Sequence, residues 1–205
     1  MISIDGQEVL GVFVYGSSVY GLPNPQDIDL IVVKNADGGY QTTIDIVGIK
    51  YDVSVYDKET FERELFNNHE ISFLECLFLP RDKIIYVNQL WWKYIKDTFV
   101  LHKDILRRSI SAKASNSYVK AKKKLTVEKD YDLYKGKKSL YHAMRIVKFG
   151  SQIAIYGKIV DYSVCNYLYY DIMSAYLDTW EKLEKEFKPV YNSICSEFRK
   201  VAPKF

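Results

Sequence analysis

The sequence predicts an α+β protein, in which a small mixed β-sheet is followed by a mostly helical C-terminal half. Short β-branched runs separated by turns dominate up to about residue 57. From Asn88 onward glycine is scarce and apolar residues recur about every 3.6 positions. With 205 residues, of which 48% are hydrophobic, the chain can bury one core or two small ones. We therefore expect one domain over residues 1–87 and a helical one over residues 88–205.

Turn residues and alternating apolar positions define the elements of the first part. Asp5-Gly6 marks a turn, Gly48 marks a hairpin, and strands are expected over residues 2–4, 9–15, 27–33, 41–47 and 50–56. Asp57 has the chemistry of a helix N-cap before KETFERELF, and the helical pattern continues through SFLECLFLP until Pro80 ends it. A strand or turn over residues 83–87 closes this part.

The apolar spacing of the second part predicts helices over residues 89–101, 103–125, 133–156, 162–177 and 178–200. No run of eighteen apolar residues exists, and MISIDGQE has neither region of a signal peptide, so we expect a cytoplasmic protein without a membrane segment. Cys76, Cys165 and Cys195 are widely spaced and predict reduced core residues rather than a zinc site.

Charge is divided unevenly along the chain. Residues 1–100 hold 8 Lys and Arg against 15 Asp and Glu, whereas residues 101–205 hold 21 against 11, so the halves carry about −7 and +10. Most of the positive excess lies within residues 103–148. An acidic half and a basic half suit a site that holds metal ions and a polyanion together, although a solvated basic helix face is the commoner fate of such a run.

Two aspartates one residue apart stand out on an otherwise apolar strand. Residues i and i+2 of a strand project from the same face, so Asp27 and Asp29 lie side by side, and Ile28 and Leu30 point to the core. The two carboxylates repel each other unless a cation lies between them. The spacing therefore indicates a divalent-cation site.

A third carboxylate on a neighbouring strand would allow two metal ions to be held. In KYDVSVYD the alternation places Asp52 and Val53 on opposite faces of the strand. Asp52 is therefore the candidate for the third carboxylate. Asp45, on the preceding strand, is a rival for this role. Upstream, Gly16 lets the backbone approach a phosphate, and Ser17 and Ser18 offer amide and hydroxyl donors. Nine residues separate Ser17 from Asp27, which is enough for a short helical turn and a loop containing Pro23 and Pro25.

These residues resemble the DNA polymerase beta-like nucleotidyltransferase superfamily, in particular its small bacterial and phage members. The matching pieces are GSSVYG at 16–21, QDIDL at 26–30 and, more loosely, KSLYHAMR at 138–145. The resemblance implies a polymerase beta-like palm over about residues 9–80. The short N-terminus departs from the family pattern, since a helix often precedes the first strand there. One side of the sheet should then be less covered, or be covered by the C-terminal half.

The resemblance implies transfer of a nucleoside monophosphate from an NTP to an acceptor hydroxyl, with release of pyrophosphate. Asp27 and Asp29 would hold the Mg²⁺ or Mn²⁺ that carries the triphosphate, and Asp29 with Asp52 would hold a second ion that activates the hydroxyl. Gly16, Ser17 and Ser18 would steady the phosphates. The base, the acceptor and the oligomeric state are not readable from the sequence.

One face of a predicted helix carries three further nucleotide-binding candidates, Lys138, His142 and Arg145, spaced i, i+4 and i+7. They could contact the triphosphate, or His142 could simply be a partly buried core histidine with solvated cations beside it. Aromatic residues are interspersed among the cations of the basic region 103–148, and this combination predicts a nucleic-acid acceptor. The tyrosines of this region are Tyr118, Tyr131, Tyr134 and Tyr141. With 18 tyrosines in the chain, such interleaving is also expected by chance.

Two other functional classes fit the same residues. One is a non-catalytic nucleotide-binding or antitoxin-like partner, which loss of the third carboxylate would favour. The other is an enzyme that attaches AMP or UMP to a protein side chain, with the same metal constellation.

Overall fold

The computed structural model describes residues 3–4, 6–22 and 27–204. The chain is divided into two compact units, with the boundary between residues 101 and 102. The first unit combines a sheet with helices and the second is helical, so the predicted α+β class is confirmed.

The first unit holds a mixed sheet of six strands in its described residues. Its strands are β1 (Ser3–Ile4), β2 (Gln7–Tyr15), β3 (Ile28–Lys34), β4 (Tyr40–Ile46), β5 (Ile49–Asp57) and β6 (Ile84–Val87). The strand order is β1-β2-β3-β5-β4, and β6 pairs with β2. Only β3 and β5 pair in parallel among these strands, and the chain returns between them through β4.

Within its described residues the same unit has four α-helices, namely α1 (Ser17–Tyr20), α2 (Lys58–Phe66), α3 (Ile71–Phe78) and α4 (Gln89–Thr98). Aromatic side chains fill the space between the sheet and these helices. Phe13 of β2 stacks on Phe61 of α2 at 6.2 Å between ring centroids and contacts Trp92 of α4 at 5.2 Å. Helix α4 therefore packs within the first unit, although the sequence placed residues 88–101 with the helical half.

The opposite face of the sheet forms a second apolar cluster, which consists of strand residues. Its buried members are Val9, Val32, Val53 and Val55. Leu30 packs at its border, as the alternation of β3 predicts, because residues 30 and 32 share a face.

A break separates α2 from α3, where the sequence predicted one continuing helix. Asp57 caps α2 as predicted, since its Oδ1 accepts a hydrogen bond from Thr60 N at 2.7 Å. The chain then leaves the helix at Asn67, and His69 adopts a positive φ of 48°. The His69 Nδ1 lies 2.9 Å from Leu65 O, so a buried polar contact stabilises the turn that periodicity alone did not reveal.

The second unit contains α5 (Lys103–Thr126), α6 (Leu133–Tyr156), α7 (Asn166–Ser174) and α8 (Trp180–Val201). Helix α6 coincides with its predicted bounds, whereas α7 is shorter than the predicted 162–177. Two glycines let α5 and α6 approach closely. A Cβ on Gly136 would lie 2.7 Å from Leu125 Cγ, and one on Gly150 would lie 2.8 Å from Ile110 Cγ2. Substitution at either glycine would push the two helices apart.

The three cysteines are free thiols. Cys76 and Cys165 are buried and Cys195 is partly buried, as the sequence predicted for reduced residues. Across the described part of the chain, none of the helices has both the length and the apolar character needed to cross a bilayer.

The turn between β4 and β5 carries a strained residue. Val47 and Gly48 form a two-residue loop with φ values of 54° and 78°, the pattern that asparagine-glycine pairs favour in hairpins. A β-branched residue is disfavoured at positive φ, and the Val47 side chain is 97% exposed, so no packing offsets the strain.

We therefore predict that Val47→Asn stabilises the protein by about 1 kcal/mol, because it relieves backbone strain without removing a buried contact. Urea unfolding measures the change. The same substitution at Val100, another exposed valine, should shift the free energy of unfolding by less than about 0.5 kcal/mol. A destabilised Val47→Asn would show that the turn has another geometry.

Candidate active site

The corner between β2 and α1 requires glycine. Gly16 has φ 73° and ψ −150°, a conformation that is essentially restricted to glycine. A Cβ added there would overlap the carboxylate of Asp29, with Asp29 Cγ only 2.9 Å away. The absence of a side chain at Gly16 thus lets Asp29 lie directly against the backbone of the corner.

The two serines follow this corner at the start of α1, where a short helical turn was predicted. Ser17 opens the helix, and the Gly16 carbonyl accepts a hydrogen bond from Val19 N at 3.0 Å. The Ser18 Oγ is buried and has no hydrogen-bond partner among the described residues. The loop predicted around Pro23 and Pro25 lies outside those residues.

Strand β3 carries one of the two alternating aspartates and follows the other. Asp29 lies within β3, opposite Tyr15 of β2 and opposite Asp52 of β5. Asp27 immediately precedes the first strand residue, Ile28. Partner residues of parallel strands project from one face at a strand spacing of about 4.8 Å, so Asp29 and Asp52 are lateral neighbours.

Asp52 is held by two residues of the hairpin. Thr43 Oγ1 donates a hydrogen bond to Asp52 Oδ1 at 2.9 Å, and Lys50 Nζ lies 3.9 Å from the same oxygen. These contacts offset part of the repulsion between the Asp52 and Asp29 carboxylates. The rival Asp45 lies across the hairpin from Lys50 and accepts a hydrogen bond from Gly48 N at 2.9 Å, so it stabilises the turn.

A cavity of about 380 Å³ opens over the Asp29–Asp52 pair. Its lining is mainly polar and includes Tyr15, Asp29, Gln41, Thr43, Asp52 and Ser54. Asp27 does not line this cavity. We call the cavity the carboxylate pocket.

The donor atoms of the carboxylate pocket fit one divalent ion. Mg²⁺ prefers oxygen ligands and is commonly held by one or two carboxylates together with substrate phosphates, which is the set that Asp29 and Asp52 could complete. Within the described ranges, however, no three His, Cys, Asp or Glu side chains are grouped closely enough to hold a metal ion. A second ion shared with Asp27 therefore stays a prediction.

Three polar residues of the pocket, Gln41, Thr43 and Ser54, were not singled out from the sequence. The sequence of the hairpin nevertheless contains the information needed to place them in the pocket. Once Val47-Gly48 is taken as a two-residue loop, Ile46 pairs with Ile49, and counting back pairs Thr43 with Asp52. The alternation of β4 then places Gln41 and Thr43 on the aspartate face.

The second unit contains the other predicted site residues, all on α6. Arg145 is only 4% exposed, and its guanidinium lies 5.0 Å from the centre of the Phe149 ring. Lys138 and His142 are partly buried. The three residues do not form an exposed cationic face, because α6 is buried around most of its circumference.

The electrostatic environment keeps His142 neutral. Burial is the largest cause that holds the pKa of His142 well below its usual value of 6.5, and the charge of Arg145 is the next. Lys138 and Lys120 lower this pKa further. The structure thus brings Lys138, His142 and Arg145 together with Lys120 of α5, and His142 contributes no positive charge near neutral pH.

The tyrosines of the basic region differ in their availability to a nucleic-acid base. Tyr141 is fully buried, and Tyr118 already stacks on Tyr191 at 4.8 Å between ring centroids. Burial and the neighbouring carboxylate of Glu184 raise the pKa of Tyr118 to about 12. Tyr131 and Tyr134 are exposed. Two of the four predicted stacking residues therefore belong to the packing of the unit.

We predict that Gly16→Ala costs more stability than Gly38→Ala. Both glycines have positive φ, but a Cβ on Gly38 would meet no atom within 4 Å, whereas one on Gly16 would displace Asp29. Gly38→Ala should cost about 1–2 kcal/mol of backbone strain, and Gly16→Ala should cost at least about 1 kcal/mol more. Urea unfolding compares them. Equal losses would mean that Asp29 does not lie against the corner.

The lowered pKa of His142 predicts a pH-dependent stability. In the unfolded chain this histidine becomes protonated below about pH 6.5, whereas the folded chain resists its protonation. The contribution of the neutral histidine to the free energy of unfolding is therefore present above that pH and is lost as the pH falls. The free energy of unfolding of the wild type, relative to His142→Gln, should therefore decrease from about pH 7 to pH 5.5. An NMR titration midpoint of His142 at or above about 6.5 would contradict this environment.

A solved structure shows distant similarity to this chain. The chain is similar to the crystal structure of a nucleotidyltransferase-like protein from Exiguobacterium sibiricum 255-15, with 13% sequence identity and a TM-score of 0.37. The similarity covers 95% of this chain and 69% of that chain. No protein-family model matches the chain, and no curated protein matches it. A likeness at this level defines neither the fold family nor the activity of the chain.

Proposed function

We propose that the protein is a metal-dependent nucleotidyltransferase, which moves a nucleoside monophosphate from an NTP to an acceptor hydroxyl and releases pyrophosphate. One observation carries the proposal, namely the parallel pairing of Asp29 with Asp52 on the floor of the carboxylate pocket. Gly16 lies against the same Asp29 carboxylate. The motif that the sequence shares with the polymerase beta-like superfamily and the geometry of the pocket thus support the same chemistry.

The residues of the pocket suit a reaction that depends on position and charge. A bound Mg²⁺ or Mn²⁺ would neutralise phosphate charge and favour ionisation of the acceptor hydroxyl. Asp29 and Asp52 would hold the ion, and Asp27 would add a ligand from the residue that precedes β3. Thr43 fixes the orientation of the Asp52 carboxylate through its hydrogen bond. The glycine-serine corner would present Gly16, Ser17 and Ser18 to the phosphates.

The helical unit would serve the substrate or the acceptor. Arg145 is almost fully buried beside a neutral His142, so a phosphate would meet this cluster through the partly buried Lys138. The positive charge of residues 103–148 is complementary to the negative charge of a nucleic acid, which could therefore be the acceptor. Tyr131 and Tyr134 are exposed and could stack on its bases.

Non-catalytic nucleotide binding is the second candidate. It is favoured by the finding that the described residues contain no preformed group of three metal-holding side chains. It is also favoured by Lys50, whose ammonium approaches Asp52 at 3.9 Å and competes with a divalent ion for the same oxygen.

The decisive experiment incubates the protein with Mg²⁺ or Mn²⁺, one labelled NTP at a time, and separate pools of RNA, DNA and cell lysate. We predict that label transfer is lost in Asp29→Asn and in Asp52→Asn, by at least about 100-fold, because each substitution removes a charged ligand that its isostere cannot replace. Circular dichroism should show that both variants remain folded.

Two matched variants complete the test. Asp37→Asn changes an exposed aspartate away from the pocket and should keep full activity. Asp45→Asn should also retain transfer, and its inactivity beside an active Asp52→Asn would assign the catalytic role to the rival aspartate. Full transfer by Asp29→Asn would refute the site. Nucleotide binding without pyrophosphate release in every pool would favour the second candidate.

A further inference from the structure

Strand β4 forms an edge of the sheet in the part of the chain that the structure describes. It stands last in the strand order and, within the described residues, pairs only with β5. All seven of its residues are exposed. An edge strand presents unpaired backbone N–H and C=O groups, which a strand from another chain can satisfy.

Apart from the charge of Asp45, the edge lacks the features that usually prevent such pairing. Proteins protect edges with lysine, proline, bulges or very short strands. Strand β4 contains neither lysine nor proline, and its register with β5 runs without a bulge from Tyr40 to Ile46. Ile44 is 45% exposed and Ile46 is 53% exposed. The strand is thus long, regular and partly apolar.

The sequence of β4 is complementary to itself in one antiparallel register. When Thr43 faces Thr43 of a second copy, all seven residues are paired. Tyr40 then faces Ile46, and Thr42 faces Ile44, so aromatic and β-branched side chains pair on one face. On the other face the single charge of the strand, Asp45, faces the amide of Gln41 rather than another charge. A register centred on Asp45 would place two like charges directly opposite each other.

We propose that two copies of this chain form a symmetric dimer, in which β4 pairs antiparallel with the partner's β4 about a two-fold axis at Thr43. Such a contact uses the same surface on both copies and therefore closes as a dimer rather than growing into a fibre. The two sheets become continuous. Because Gln41, Thr42 and Thr43 line the carboxylate pocket, the partner strand borders the outer side of that pocket.

Cysteine cross-linking tests the register. In a Cys195→Ser background, Thr43→Cys places two thiols at an antiparallel pair with a Cα separation of about 4.5–5.5 Å, within the range for a disulfide. We expect a covalent dimer under mild oxidation. Gln41→Cys is the matched control, since the two copies of residue 41 lie about 14 Å apart along the strands and should not cross-link. The double variant Gln41→Cys, Asp45→Cys should cross-link again.

Sedimentation velocity tests the association itself. The wild type should sediment as a dimer that dissociates on dilution. Gln41→Glu faces a charge of the same sign on the partner's Asp45 and should weaken the dimer, whereas Gln41→Lys should tighten it. Each change occurs twice across the axis, so we expect about two- to thirty-fold shifts in Kd. Val47→Lys, at the tip of the hairpin beyond the seven-residue strand, should leave Kd unchanged.

Three results would overturn the proposal. The wild type could sediment as a monomer at every concentration. It could form a dimer that Thr43→Cys does not cross-link, which would assign the contact to another surface. Cross-linking at residue 41 as efficient as at residue 43 would exclude the symmetric register. None of these outcomes depends on nucleotidyl transfer, so the dimer and the proposed activity are tested separately.

Discussion

The parallel pairing of β3 with β5 is the constraint on which the candidate site depends. It places Asp29 beside Asp52 at the distance of one strand spacing, where two like-charged carboxylates repel each other. A structure that keeps such a pair must offset the repulsion. Thr43 and Lys50 do so in part at Asp52, and a divalent ion would do so more completely.

The hairpin of β4 and β5 links this site to the edge of the sheet. Its two-residue loop sets the register, the register places Thr43 opposite Asp52, and Thr43 fixes one carboxylate oxygen. The same strand supplies the open edge and three residues of the pocket lining. The strained Val47 and the glycine at residue 48 thus influence both the stability of the hairpin and the geometry of the candidate site.

Local patterns in the sequence were sufficient to predict the sheet, the hairpin at Gly48, the N-cap at Asp57 and the extent of α6. Each depends on neighbouring residues, whose periodicity and turn chemistry are legible without the fold. The break at His69 was missed because it depends on a buried contact with a backbone carbonyl. The position of α4 was missed because Trp91 and Trp92 pack against aromatic residues distant in sequence. The sequence placed Arg145 with Lys138 and His142 on one face of a helix, but the spacing alone did not reveal that Arg145 is almost fully buried within its unit.

Binding of Mn²⁺ in the presence of a non-hydrolysable NTP analogue, followed by electron paramagnetic resonance, tests the central claim most directly. If Asp29 and Asp52 share one ion, each single Asn variant should weaken binding by about 10- to 100-fold. The double variant should then lose less than the product of the two single losses, because the remaining carboxylate of each single variant already holds the ion only weakly. Wild-type affinity in both single variants, or fully additive losses, would contradict a shared ion.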